Sequence, residues 1–201
     1  MRPLRLLFLA GLSVFAHVGL AQSPTGAPSD EPSPRWFADV HVGALVIPSI
    51  SGVVTYNLSA GGGYRLLPQH AVGLGVRSFG YGGAYNNGSA LGAGLRYRYA
   101  PARWLVCQVE VGPVLAGTDG GDFTESAPAG VGGAYGALHL DYRTRVGFTA
   151  GVYFAAASGY PVEQRFYSFD IDDYEPAVVR EGACTSLGIA VGWTFPPLPR
   201  R

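Results

Sequence analysis

LGAGLRYRY, residues 91–99, decides the fold: Leu91, Ala93, Leu95, Tyr97 and Tyr99 fall on one side, and Gly92, Gly94, Arg96 and Arg98 on the other. A period of two is the repeat of an extended strand, whose side chains point alternately to opposite faces. One face is apolar and ends in aromatics. The other is glycine followed by arginine, too bare for a solvated sheet and too charged for an ordinary core.

The composition agrees with that oddity. Charged residues are 14% of the 201, well under the roughly 25% of an ordinary soluble domain, and there are 30 glycines. Something other than water is expected to cover much of the surface. Fourteen basic residues, all arginine, balance fourteen acidic ones, so no broad basic field exists to attract nucleic acid. The length suits one domain.

Residues 1–21 place Arg2 and Arg5 ahead of the apolar run Leu6–Phe15, then Gly19 and Ala21. This is the form of a secretory signal peptide, with cleavage expected after Ala21. No later segment approaches the ~18 continuous apolar residues of a spanning helix. An exported chain of this kind is expected to be either soluble outside the cytoplasm or a β-barrel in a membrane. Residues 22–35, rich in Pro, Ser and Gly, read as a flexible leader, 36–195 as the barrel and 196–201 as a short tail.

The alternation of residues 91–99 recurs along the chain. Trp36, Ala38, Val40, Val42, Ala44 and Val46 oppose Asp39, His41 and Gly43; Val54, Tyr56, Leu58, Ala60, Tyr64 and Leu66 oppose Asn57, Ser59, Gly61, Gly63 and Arg65. Further strands are predicted over about 71–79, 90–99, 105–115, 131–142 and 146–156, and a last one ends at Phe195. The connections between these eight strands alternate short and long, as a meander closed into an up-and-down barrel requires. The long ones are read as loops over 80–89, 116–130 and 157–182, and the short Pro48–Gly52 fits that scheme least well. The fold class is all-β, an antiparallel up-and-down eight-stranded transmembrane β-barrel. Cys107 falls on the apolar face and Cys184 on the other, so two free thiols are expected rather than a disulfide.

A soluble barrel of the lipocalin kind also alternates, and remains the alternative reading. Two features favour lipid. The polar faces are mostly Gly, Ser, Thr and Ala with isolated arginines, which suits a narrow interior better than open water. Large aromatics also gather on the apolar face at the short-turn rim: Trp36, Tyr64, Tyr97, Tyr99, Tyr142, Phe148, Trp193 and Phe195. A membrane interface selects such rings for their apolar body and polar edge.

With GLRYRY and the closing GIAVGWTF as its most characteristic phrases, the stretch from Trp36 to Phe195 resembles the small eight-stranded outer-membrane barrels of the OmpA-like and OmpX-like group. The resemblance implies a bacterial outer-membrane location, with membrane lipid and the barrel-insertion machinery as partners. Such barrels commonly end on a terminal aromatic, whereas here PPLPRR follows Phe195.

The inward ionisable residues are Asp39, His41, Arg65, Arg77, Arg96, Arg98, Glu110, His139, Asp141 and Arg145. Unpaired charge is costly in a narrow interior, so Asp39, Glu110 and Asp141 are expected to pair with arginines and plug the lumen. The other readings are a narrow channel, or a lipid-modifying enzyme using the same charges; no serine motif sits beside either His41 or His139. The long connection carries Phe166, Tyr167, Phe169, Asp170, Asp172, Asp173 and Tyr174, a surface for an extracellular ligand. DIDDYE, 170–175, lacks the glycine and the spacing of a calcium loop. Expected are a monomer with no cofactor and no bound metal, and a structural or surface-interaction role.

Overall fold

The computed structural model describes residues 35–47, 53–83, 86–121, 124–168 and 173–195. The expected signal peptide, most of the expected leader, the expected turn at Pro48–Gly52, the expected loop residues Phe169, Asp170 and Asp172, and the expected tail lie outside them. The described residues are strand and turn, with no helix. In chain order the strands are β1 (Trp36–Ile47), β2 (Val53–Leu67), β3 (His70–Gly82), β4 (Asn86–Ala102), β5 (Leu105–Gly121), β6 (Thr124–Pro128), β7 (Gly132–Arg143), β8 (Phe148–Ser168), β9 (Asp173–Tyr174) and β10 (Val178–Phe195).

Each strand from β1 to β5 pairs antiparallel with the next, β5 pairs β7, β7 pairs β8, β8 pairs β10, and β10 returns to β1. Eight strands thus close a ring, leaving none of them a free edge along the closed part. β6 joins as a ninth strand beside β8, in continuation of β7. The two are parted at Ala129–Val131, where Gly130 has φ 147° and the Ala129 N–H still donates to the Pro161 carbonyl at 3.2 Å.

The expected loops are largely strand. β4 begins at Asn86 and β3 runs to Gly82, because Tyr81↔Gly88 and Gly82↔Asn87 continue the ladder through glycine and asparagine. β8 and β10 extend as a long hairpin, Gln164 opposite Val178. A register shift beside Gly159, whose φ is +74°, changes which side chains point inward: Ala155 and Ala157 below it, Tyr160 and Val162 above it, all buried. Such a bulge inserts one residue and reverses the alternation.

Inward and outward faces are as the alternation predicts through the middle of the ring. Val42, Leu58, Leu74, Leu95, Leu115, Leu140, Val152 and Ile189, one from each ring strand, are between 39 and 68% exposed. Arg96 and Arg98 between them are buried. Cys107 and Cys184 are free.

Candidate functional site: a sealed interior and an apolar belt

The side chains that turn inward meet across the ring, not along one strand. Arg96 of β4 reaches Asp39 of β1, Nη1 to Oδ1 at 2.5 Å, and Glu110 of β5, Nη2 to Oε2 at 2.6 Å. Arg98 bonds the other Asp39 oxygen at 3.3 Å and Thr194 Oγ1 of β10 at 3.2 Å. Arg77 of β3 lies 3.3 Å from Glu110 and donates to Asn57 Oδ1 at 2.6 Å. The Tyr135 hydroxyl donates to Glu110 Oε1 at 2.7 Å. Five charged groups therefore form one continuous chain of shared oxygens, buried from side to side. A planar guanidinium with five fixed donors is the side chain that can join two carboxylates in this way.

Glycines open the space these groups occupy. A Cβ at Gly61 or Gly75 would fall on the Arg96 guanidinium, and one at Gly92 on the Tyr135 ring.

Beside the arginine chain lie His41, His139 and Asp141. His41 Nε2 is 3.6 Å and His139 Nδ1 3.8 Å from Asp141 Oδ2, and the imidazole centroids are 5.2 Å apart. The three ligand atoms lie within 4.8 Å of one another, and these are the described residues that could hold a metal ion. Arg77 Nη1 stands 2.7 Å from His139 Nε2, and a guanidinium only donates. Nε2 therefore accepts, which leaves the neutral ring's proton on Nδ1, facing Asp141. A cation could take that position only by displacing the Arg77 bond. The set is better suited to water. Both His41 nitrogens, Asp141 Oδ1, Ser59 Oγ, Gln108 Nε2 and Thr149 Oγ1 have no hydrogen-bond partner, and buried polar groups of this kind are where internal waters bind.

Toward the long connections the interior turns apolar. Phe79, Val114, Tyr135, Ala155, Ala157, Tyr160, Val162 and Cys184 form one buried cluster. Tyr160 lies against Gly117 and Gly182, where a Cβ would meet its ring. This half of the lumen is filled by carbon and aromatic rings rather than by charge.

Several expected positions are corrected. Arg145 is not inward; it is exposed in the turn after β7, and Arg143 holds the inward position instead. Asp141 faces the two histidines, its Oδ2 lying 3.6 Å from His41 and 3.8 Å from His139. Tyr99 is not exposed at the rim, being buried with its ring 5.0 Å from that of His70. Arg65 is half-buried at the short-turn rim. Asn57, Ser59, Gln108, Tyr135 and Thr149, on the inward face by alternation, are buried and join the ionisable groups in the interior, and Trp104, not among the expected rim aromatics, sits in a turn and packs on Tyr142 at 6.2 Å.

The other rim aromatics form edge contacts: Trp36 with Tyr64 at 5.0 Å, Phe148 with Trp193 at 6.4 Å, and Trp193 with Phe195 at 6.2 Å. Tyr97 is 36% exposed, its hydroxyl 2.6 Å from His70 Nδ1.

No family profile and no characterised protein matches the chain. The geometry alone carries the reading.

On the opposite rim Tyr167 meets Tyr174 edge-on at 5.4 Å, and the Arg180 guanidinium lies 4.7 Å from the Phe166 ring centre. Asp173 pairs with Ser168 in the β8–β9 ladder. Phe166, Tyr167, Asp173 and Tyr174 thus lie in paired strand.

Proposed function

We propose that this chain is a bacterial outer-membrane β-barrel whose lumen is closed and whose contacts with other molecules are made by the β8–β10 extension. The outward apolar belt carries the reading. Soluble monomers rarely expose contiguous apolar patches beyond a few hundred Å², yet here every ring strand contributes a large, half-exposed aliphatic. Half-burial of such a side chain is worth about 1 kcal/mol. Over eight of them that is about 8 kcal/mol, comparable to the whole stability of a domain. A lipid environment supplies that term, and a closed antiparallel ring leaves no backbone group of its span unpaired in it.

The interior supports a structural role over transport or catalysis. The apolar cluster of Phe79, Tyr160 and Val162 lies across the lumen with none of the three accessible, which opposes a polar path. Ser59 stands opposite His41 in register, but both are buried and the hydroxyl bonds nothing, which gives a substrate no approach. The test is membrane fractionation of expressing cells followed by a heat-modifiability gel. A chain found in the outer-membrane fraction, migrating differently before and after boiling, is expected. A chain that stays in the aqueous fraction without detergent would favour the lipocalin-like reading and overturn this one.

A further inference from the structure

The described carboxylates outside the lumen are segregated to one rim, whereas arginines stand at both, Arg165 and Arg180 among the acids. Arg35, Arg65, Arg103 and Arg145 lie at the short-turn side, with no Asp or Glu among the described residues there. The described acids that are not inside the ring, Asp119, Glu125, Glu163, Asp173, Glu175 and Glu181, all lie toward the long connections.

The four arginines share a local pattern. Each directly precedes a large exposed apolar residue: Arg35 Trp36, Arg65 Leu66, Arg103 Trp104 and Arg145 Val146, with those partners 70, 60, 55 and 60% exposed. One such pair stands where the chain enters β1, and one at each of the connections β2–β3, β4–β5 and β7–β8. They are therefore spaced around the whole rim. The Arg65 N–H donates to the Arg35 carbonyl at 2.7 Å, and Arg35 Nη1 to the Tyr64 hydroxyl at 2.9 Å.

We propose that this rim binds the headgroups of anionic glycerophospholipids, of the phosphatidylglycerol class, with each apolar partner in the acyl boundary and each arginine at the phosphate level. The proposal rests on the membrane-barrel reading. The belt puts Trp36, Leu66 and Trp104 at the edge of the hydrocarbon, where indole rings settle. An arginine one residue away then reaches phosphate oxygens, which its fork fits in bidentate fashion. Among the described residues no carboxylate outside the lumen lies on that side to compete for it. A basic residue near an anionic surface gains roughly fivefold in association, an effect screened by salt.

All three tryptophans, Trp36, Trp104 and Trp193, sit at this rim, so the native chain carries its own reporter. The full chain is reconstituted in phosphatidylcholine vesicles containing phosphatidylglycerol, with bromine on the acyl chains of one lipid or the other, and tryptophan quenching is read. Expected is a roughly fivefold preference for brominated phosphatidylglycerol at low salt, lost in high salt. The preference should fall in Arg103→Gln with Arg145→Gln, two exposed turn positions. Arg165→Gln with Arg180→Gln, on the other rim, should retain it. Equal quenching by both lipids in the wild type would overturn the proposal while leaving the barrel in place. Quenching by neither would overturn the membrane reading as well. Persistence of the preference in high salt would assign it to something other than the arginines.

Discussion

Arg96 occupies the position on which most of the interior depends, because among the described residues it is the group bonded to both Asp39 and Glu110. Burying such a pair gains little net stability, but breaking it leaves carboxylates with no hydration to return to. Arg96→Ala is expected to lose about 3–5 kcal/mol, read as a shifted urea midpoint for the reconstituted protein. Adding Asp39→Asn and Glu110→Gln should deepen the loss, because Arg98 and Arg77, which bond those two carboxylates, would then be buried without a counter-charge. The same logic separates two glycines of β3. A methyl at Gly75 meets the Arg96 guanidinium and the Glu110 carboxylate, whereas at Gly82 it meets nothing within 4 Å. Gly75→Ala should therefore destabilise by about 1–3 kcal/mol, the ordinary cost of overpacking, and Gly82→Ala should leave the midpoint within about 0.5 kcal/mol.

At the scale of elements, β8 is the strand whose shape sets what fills the lumen. Gly159 at φ +74° lets the strand gain a residue, and Tyr160 and Val162 turn inward above it. A β-branched residue is strained at that φ, so Gly159→Val is expected to destabilise the protein and loosen the Tyr160 ring. Tyr160→Ala with Phe79→Ala removes the bulk of the apolar closure. Planar-bilayer recordings should then show conductance that the wild type lacks, and a silent double variant would assign the seal to the arginine chain alone. The middle of each strand was legible from alternation, since outward aliphatics and inward Gly, Ser and Arg leave one register possible. What lay beyond the middle was not. Continued pairing carries strand on to Gly82, back from Asn86 and into 157–168 against local propensity, because each rung depends on the neighbour and not on the residue's own preference. For the same reason the inward aromatics Tyr160 and Tyr135 were invisible as a plug: one follows a bulge that reverses parity, and the other is met only by partners far along the chain. The charge network was half legible. Inward parity identified Asp39, Arg77, Arg96, Arg98 and Glu110, but which carboxylate meets which arginine depends on the curvature of the closed ring, so Asp141 with its two histidines and the exposure of Arg145 could not be read.

For the whole molecule the decisive question is what solvent the outer face meets, and depth gives it a measurable form. Leu74 and Leu95 are directly paired across β3 and β4 and are 66 and 68% exposed near the middle of the belt, whereas Leu66 is 60% exposed at the short-turn rim. In water these three sites are equivalent, and an arginine at any of them would improve the surface. In a bilayer they are not, because a charge at the midplane of a barrel's lipid face costs about 2–4 kcal/mol and one at the interface about 0–1 kcal/mol. Leu74→Arg and Leu95→Arg are therefore expected to lower the stability of vesicle-reconstituted protein by about 2–4 kcal/mol each, and Leu66→Arg by at most about 1 kcal/mol. The difference between the sites is the informative quantity: it cancels any general effect of adding arginine, and intrinsic strand propensity has no reason to follow depth. Equal and small changes at all three would mean that water, not lipid, covers the belt.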